Sequence, residues 1–226
     1  MLELLRMTNR SIPFAVGEYY HCFNRGVDKR DIFLDAEDFH YFQTALELFN
    51  QLPSRGDMVH YKCRHRDRHE DPLVSIVAYS LLPNHFHILL RQEVDGGITK
   101  FMRKLGTGYT MYFNKKYNRS GSLFQGQFKS VHISDDIQLR HLFAYVSNNR
   151  KVHALSDKKK FRDSYQEVVE KRKSKICNLN LVNNLFENNL QQIIDSGIKH
   201  TITYRKSLGQ SEKSELLEYH NTNVEV

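Results

Sequence analysis

Two histidines, His85 and His87, are separated by one residue in an apolar segment that is typical of a β-strand. Because side chains alternate between the two faces of a strand, both imidazoles point the same way, about 7 Å apart, while Phe86 points to the core. Two imidazoles at this spacing can bind one divalent ion, although two solvent-facing strand histidines give the same pattern. A third ligand and a nucleophile with compatible geometry would distinguish the two interpretations.

Tyr145 and Asn149 lie four residues apart in a segment with helical periodicity. Residues at this spacing project from one face of a helix, so we expect the phenol and the amide to lie together beside the apolar stripe of that helix. A tyrosine that merely borders a core would have the same spacing. If the helix packs near the histidine strand, these side chains form a site for metal-assisted phosphodiester chemistry.

In such a site the Tyr145 oxygen would attack phosphorus and give a covalent intermediate, while a metal polarises the scissile phosphate. A phenol with its ordinary pKa of about 10 is a weak nucleophile at neutral pH, so a neighbouring cation or metal must assist it. Asn149 would supply a neutral oxygen ligand and leave positions open for phosphate oxygens. Imidazole ligands suit zinc as well as magnesium or manganese, so the residues alone do not select the ion.

The segments that must position these residues alternate between strand and helix patterns. In chain order we predict a strand over 17–24, a helix over 36–50, strands over 73–82 and 85–91 joined by a tight turn, a helix over 98–113, a strand over 128–133 and a helix over 136–149. This order predicts a ferredoxin-like α+β fold, in which helices pack on one face of an antiparallel sheet.

Beyond residue 155 the composition becomes more basic, and one further amphipathic helix is predicted over 182–194, followed by a mobile tail. We therefore divide the chain into a domain over 15–155 and a basic helical extension over 156–226. Contact with DNA and packing against the domain are both open roles for this extension.

The chain has 226 residues, with 33 Lys and Arg against 26 Asp and Glu, and its formal net charge of +7 favours a polyanionic partner. Hydrophobic residues make up 40% of the chain, which excludes a wholly disordered protein. The chain contains no run of about 18 apolar residues, so we expect neither a membrane span nor secretion.

Three widely spaced cysteines without a CxxC pair predict neither disulfides nor a thiolate zinc site. They favour a reducing interior. We separately expect a cytoplasmic location in a bacterial-type interior, close to the nucleoid. Cys63, His65 and His69 lie in a highly charged segment, which we interpret as an exposed loop rather than a metal site.

Basic residues are interleaved with aromatic residues in several parts of the chain. Such patches suit a phosphate backbone with unpaired, stacked bases, although a solvated surface has the same composition. The candidate DNA contacts are Asn24, Arg25, Gly26, Arg103, Lys104, Lys115, Lys116, Arg119 and Lys129.

Several motifs, taken in their order along the chain, resemble one known family. They are YYHCFNRGVDKRDIF at 19–33, LLPNHFHILL at 81–90, the helix at 98–113, NRSGSLFQGQFKS at 118–130 and LRHLFAYVSNNRKVHAL at 139–155. They resemble the HUH-type single-tyrosine transposases, and among these the REP-associated tyrosine transposase branch. The chain departs from the family at Arg150, where a proline is frequent, and at Phe124, where a tryptophan is common.

The resemblance implies a metal-dependent nuclease and strand transferase that acts on single-stranded DNA with hairpins or palindromic repeats. It implies that His85 and His87 bind Mg²⁺ or Mn²⁺, that Tyr145 is the nucleophile, and that Asn149 corresponds to the family residue four positions after it. The implied products are a 5′-phosphotyrosine link and a free 3′-OH, with strand transfer by reversal. Members of the family act as monomers or dimers, so a homodimer remains open.

Two other functions remain open. The chain could be a non-mobile, sequence-specific DNA- or RNA-binding protein of the same fold. It could also be a metal-dependent hydrolase that activates water, which would need a carboxylate base. The nearest candidates in sequence, Asp135 and Asp136, are better placed to begin a helix. If Tyr145 is not the nucleophile, Tyr109 and Tyr112 are the next candidates.

Overall fold

In a computed structural model of the chain, the structure describes residues 13–50, 72–152, 161–169, 176–186 and 189–207. The segment that holds Cys63, His65 and His69 lies outside these residues, as does the predicted C-terminal tail. No helix within the described ranges is long and apolar enough to span a lipid bilayer.

The elements, in chain order, are β1 (Tyr19–Arg25), α1 (Ala36–Leu48), β2 (Val74–Leu82), β3 (His85–Gln92), α2 (Gly97–Lys116), β4 (Lys129–Ile133), α3 (Asp136–Ser147), α4 (Asn149–Val152), β5 (Arg162–Asp163), α5 (Tyr165–Val168), α6 (Leu179–Phe186) and α7 (Leu190–Ser207). The strands form one sheet in the order β4-β1-β3-β2-β5, and every pair is antiparallel. The α+β class and the β2–β3 hairpin are confirmed.

Helices cover both faces of the sheet, whereas the sequence predicted them on one face. Tyr79 donates from its hydroxyl to Glu167 (2.5 Å) and accepts from Gln43 of α1 (2.8 Å), so it lies on the face covered by α1 and α2. On the other face Asn149 reaches Ser80 (3.4 Å), and α3 packs along α7. The second layer was not predicted for two reasons: helical periodicity does not show which face of the sheet α3 covers, and the segment that supplies α6 and α7 was treated as a separate extension.

Two predicted helices are each divided in the structure. The helix predicted over 136–149 ends at Ser147, because Asn148 leaves helical backbone geometry at φ −140° and ψ 43°. The helix predicted over 182–194 is α6 followed by α7, with Asn189 immediately before α7. Asparagine is favoured at helix boundaries because its side chain competes for backbone hydrogen bonds.

A β-bulge in β2 determines which β2 side chains lie on the same face of the sheet as His85 and His87. The register with β3 shifts between Ile76 and Ala78, so that two β2 residues oppose one residue of β3. After the bulge, Tyr79 faces α1 and Ser80 lies directly beside His87 on the opposite face. The bulge therefore places the small hydroxyl of Ser80, rather than the phenol of Tyr79, next to His87.

The extension beyond residue 155 completes the sheet. β5 pairs with β2, with Ser80 opposite Asp163 and Leu81 opposite Arg162. Ser164 fixes the segment, since its amide donates to the Tyr79 carbonyl (2.9 Å) and its Oγ accepts from the Tyr79 amide (3.1 Å). Residues 161–169 therefore pack as part of the domain core.

A buried carboxylate joins the start of α1 to the end of α2. Asp38 is fully buried and accepts from Lys116 Nζ (2.9 Å) and from the hydroxyls of Tyr112 (3.0 Å) and Tyr117 (2.8 Å). Its own helix is capped by Asp35, which also accepts from Lys116 (2.8 Å). The pKa of Asp35 is lowered chiefly by this hydrogen bond, and burial raises the pKa of Tyr117 to about 12.

We predict that Asp38→Ala lowers the free energy of unfolding by about 3 kcal/mol, because it removes the buried acceptor that Lys116, Tyr112 and Tyr117 share and leaves a cavity in its place. Urea denaturation measures this loss. The matched control is Glu37→Gln, since Glu37 also contacts Lys116 (3.0 Å) but its side chain is 70% exposed. We expect the control to change the free energy by less than about 0.5 kcal/mol. Equal effects of the two variants would contradict the role of burial.

Candidate active site

Strand β3 places His85 and His87 on the face of the sheet that α3 covers. The two ring centroids lie 5.2 Å apart with planes at 88°, and the side chains are buried (6% and 0% exposed). The same-face orientation predicted from alternation is therefore present. The alternative of two solvent-facing histidines is excluded by their burial.

In both histidines the Nδ1 atom is engaged by a neighbour. His85 Nδ1 donates to Asn84 Oδ1 (2.6 Å), and His87 Nδ1 lies 2.8 Å from His21 Nε2. When Nδ1 of an imidazole is held in this way, Nε2 is the nitrogen that can coordinate an ion. Both side chains are thus arranged as metal-binding histidines usually are.

Tyr145 reaches this pair from α3. Its ring centroid lies 5.7 Å from that of His87, edge to face at 80°, and the side chain is half-buried. The phenol and the imidazoles belong to the same chain. By contrast, Tyr109 and Tyr112 lie on the opposite face of the sheet, where their hydroxyls donate to Ile32 O (2.5 Å) and to Asp38 (3.0 Å). Burial raises the pKa of both phenols.

Asn149 does not continue the helix of Tyr145, as the spacing predicted, but begins α4 after the break at Asn148. Its side chain is fully buried, and Nδ2 donates to Ser80 Oγ (3.4 Å). Its Oδ1 is buried and has no hydrogen-bond partner among the described residues. Because Ser80 lies beside His87, this amide belongs to the same part of the sheet.

The side chains fit a divalent ion in their chemistry. A buried amide oxygen that accepts no hydrogen bond is a suitable ligand for a hard cation, and two imidazoles accept Mn²⁺, Mg²⁺ or Zn²⁺. Within the described part of the chain, no group of three His, Cys, Asp or Glu side chains is placed to hold an ion. The candidate ligands of the ion are therefore the imidazoles of His85 and His87 and the amide of Asn149.

One row of residues crosses the whole sheet at this point. The paired positions are Lys129, Phe23, His87, Ser80 and Asp163, on β4, β1, β3, β2 and β5. Arg25 stands opposite His85 in the next row on the same face and is 7% exposed. Paired residues of neighbouring strands share a face, so two cations lie on this face, both on the β1 and β4 side of the histidines. Burial lowers the pKa of Lys129.

Three residues of this face were not identified from the sequence, namely His21, Ser80 and Asp163. His21 alternates with Phe23 in a strand pattern, which was a usable signal for its face. Asp163 lies in the extension, and its Oδ1 accepts from the Tyr165 amide (3.2 Å). Its carboxylate lies on this face, whereas Asp135 caps α3 through Gln138 N (2.7 Å), as expected for a residue that begins a helix.

A groove of about 990 Å³ lies on the opposite face of the sheet, beside α2. Aromatic side chains line it, among them Phe14, Tyr20 and Phe128, and Arg103 stands at its wall. The rings of Phe14 and Phe128 are parallel, with centroids 6.3 Å apart. Among the described residues that line the groove, none is Asp or Glu. The aromatic rings and the positive charge of this groove are complementary to a negatively charged polymer that carries planar bases.

The candidate DNA contacts therefore separate into groups. Asn24 and Arg103 line the groove, while Arg25 and Lys129 lie on the histidine face. Lys104 and Lys115 lie on α2. Lys116 is bound by three carboxylates, and Arg119 donates to Asn114 (2.8 Å).

Gly26 has a role in packing. A Cβ at this position would lie 2.2 Å from the Arg30 carbonyl oxygen, so only glycine fits there. Its amide donates to the Asn84 carbonyl (2.9 Å), next to His85.

Comparison with known proteins agrees with this architecture. Residues 59–149, which include both histidines, Tyr145 and Asn149, match the family described as "Transposase IS200 like". A solved structure of a REP-associated tyrosine transposase bound to a REP hairpin is 15% identical, with a TM-score of 0.50, over 73% of this chain and 87% of that chain. Among curated proteins none matches. The resemblance to IS200-like transposases is confirmed over these residues, and the likeness to the REP-associated transposase shows a shared fold.

Proposed function

We propose that this protein is a metal-dependent single-stranded DNA endonuclease and strand transferase that uses Tyr145 as its nucleophile. The observation that carries the proposal is the contact between the Tyr145 ring and His87, on a face that also holds His85 and the buried Asn149 amide. The match to a transposase family over these residues supports DNA as the substrate. Hairpin or palindromic repeats are proposed as the partner, by analogy with the structural relative.

Cleavage transfers one phosphoryl group to the protein. The Tyr145 oxygen, after losing its proton, bonds to phosphorus, and the bond from phosphorus to the 3′ oxygen breaks. The 3′ oxygen takes up a proton and leaves as a free 3′-OH, while the 5′ side stays joined to Tyr145. Attack by a 3′-OH of another strand on the phosphotyrosine reverses these steps and releases the phenol, which is strand transfer.

His85, His87 and Asn149 would hold Mg²⁺ or Mn²⁺, and the bound ion would supply Lewis-acid chemistry and offset the negative charge of the scissile phosphate. The chain's own residues orient the substrate. Arg25 on β1 and Lys129 on β4 lie on one side of the histidine strand and can bind phosphates of the substrate on that side. The burial of His85, His87 and Asn149 would limit the access of bulk water, which competes with the phenol for phosphorus.

The groove beside α2 is proposed to bind unpaired bases. Aromatic rings of Phe14, Tyr20 and Phe128 offer stacking surfaces, and Arg103 offers a charge for the backbone. The groove and the histidines lie on opposite faces of the sheet, so binding and cleavage can be separated by mutation.

One alternative function is favoured by that same separation. A non-mobile nucleic-acid-binding protein of this fold would use the groove and make no covalent link to DNA. The two functions differ in a single observation, whether a stable protein–DNA adduct forms.

We expect Tyr145→Phe to abolish a denaturant-resistant adduct with labelled single-stranded hairpin DNA in Mn²⁺, because the ring is kept and the attacking oxygen is lost. Gel electrophoresis under denaturing conditions measures the adduct, and chelation of the metal should also remove it. Tyr41→Phe, on the opposite face, is the matched control and should form the adduct at the wild-type rate. An undiminished adduct in Tyr145→Phe would move the nucleophile elsewhere.

We expect Arg103→Ala to weaken binding of single-stranded DNA and to reduce the slope of log affinity against log salt by about 1, because one phosphate contact is lost. Fluorescence anisotropy over a range of salt concentrations gives this slope. Lys199→Ala removes an exposed charge from α7 and serves as the control, with no change in slope expected. A slope that is the same in both variants would exclude the groove as a DNA contact.

A further inference from the structure

The contact between His21 and His87 has no part in the chemistry described so far. His21 lies on β1, two residues before Phe23, which is the partner of His87 in the register with β3. The two imidazoles are therefore diagonal neighbours on one face. Their centroids lie 5.0 Å apart with planes at 20°, and both side chains are buried, at 6% and 0% exposed.

The 2.8 Å distance between His21 Nε2 and His87 Nδ1 requires one proton between two nitrogens. If His87 uses Nε2 as a ligand, this proton must be on its Nδ1, and His21 must accept it. The arrangement fixes the tautomer of His87 and the rotation of its ring. In His85 the proton on Nδ1 is held in the same way by a different acceptor, the side-chain amide oxygen of Asn84 (2.6 Å).

We propose that His21 is a positioning residue, which holds His87 in the tautomer and orientation that a divalent ion requires. The inference rests on the proposed function, in which His87 is a metal ligand. Phe23 packs against both rings, with centroids 5.0 Å from His21 and 5.9 Å from His87, and so limits their rotation. Partners of this kind typically contribute about 10-fold to 100-fold to metal affinity.

The test measures Mn²⁺ binding by isothermal titration calorimetry on the full chain, without DNA. His21→Phe keeps an aromatic ring between Phe23 and His87 but removes the acceptor, and we expect it to weaken Mn²⁺ binding by about 10-fold to 100-fold. His21→Gln restores a carbonyl acceptor and should recover most of the affinity. His40→Phe makes the same replacement at an exposed position on α1 and should bind Mn²⁺ as the wild type does.

Nitrogen NMR shifts of the His87 ring in the metal-free protein provide a second measurement that simple loss of packing would not move. We expect protonation at Nδ1 in the wild type and a shift toward Nε2 protonation in His21→Phe. Wild-type Mn²⁺ affinity in His21→Phe would overturn the inference, as would an unchanged His87 tautomer.

The variant His85→Ala distinguishes failure of this inference from failure of the proposed function. If His85→Ala abolishes Mn²⁺ binding while His21→Phe leaves it unchanged, only the role of His21 is wrong. If His85→Ala binds Mn²⁺ as tightly as the wild type, the metal site itself is wrong, and the proposed function fails with it.

Discussion

The pairing of β1 with β3 in one register determines where the groups of the candidate site lie. It puts Phe23 beside His87, Arg25 beside His85, and His21 within hydrogen-bond distance of the His87 ring. A slip of one residue would turn all three β1 side chains to the opposite face of the sheet. That face carries the α1–α2 core and the aromatic groove, so the slipped register would place charge against apolar and aromatic side chains. The hydrophobic core thus enforces the register that the site needs.

Two local irregularities adapt this regular sheet to chemistry. The bulge in β2 brings Ser80 beside His87, and the break at Asn148 turns Asn149 toward Ser80. Both irregularities disrupt regular backbone hydrogen bonding and persist because neighbouring elements hold them. The amide nitrogen of Asn149 donates a hydrogen bond to the hydroxyl of Ser80. The amide oxygen is therefore the atom of this side chain that would bind the proposed ion. A regular strand and an uninterrupted helix would have placed neither group there.

Much of the fold could be predicted from the sequence because its signals are local. Alternation along 85–91 gave the shared face of His85 and His87, and helical periodicity gave α1, α2 and most of α3. The remaining features depend on contacts between distant segments. The contact of His21 with His87 joins residues 66 apart in sequence, and Asp163 comes from an extension whose composition resembles a linker. The break at Asn148 was missed because helical spacing continues through it, so Tyr145 and Asn149 seemed to share one helix. No local pattern specifies strand register or a bulge, so these parts of the site required the structure.

The origin of Tyr145 and His87 in one polypeptide has a consequence for mixtures of molecules. If Tyr145 and the histidines act as proposed and within one chain, each copy carries its own phenol and imidazoles, and a defective copy would neither borrow a missing group from a functional neighbour nor disable that neighbour. In a cell that holds intact and mutated genes together, total turnover would follow the number of intact copies in simple proportion. An inactivating mutation would therefore be recessive, because it would not reduce the activity of the intact copies.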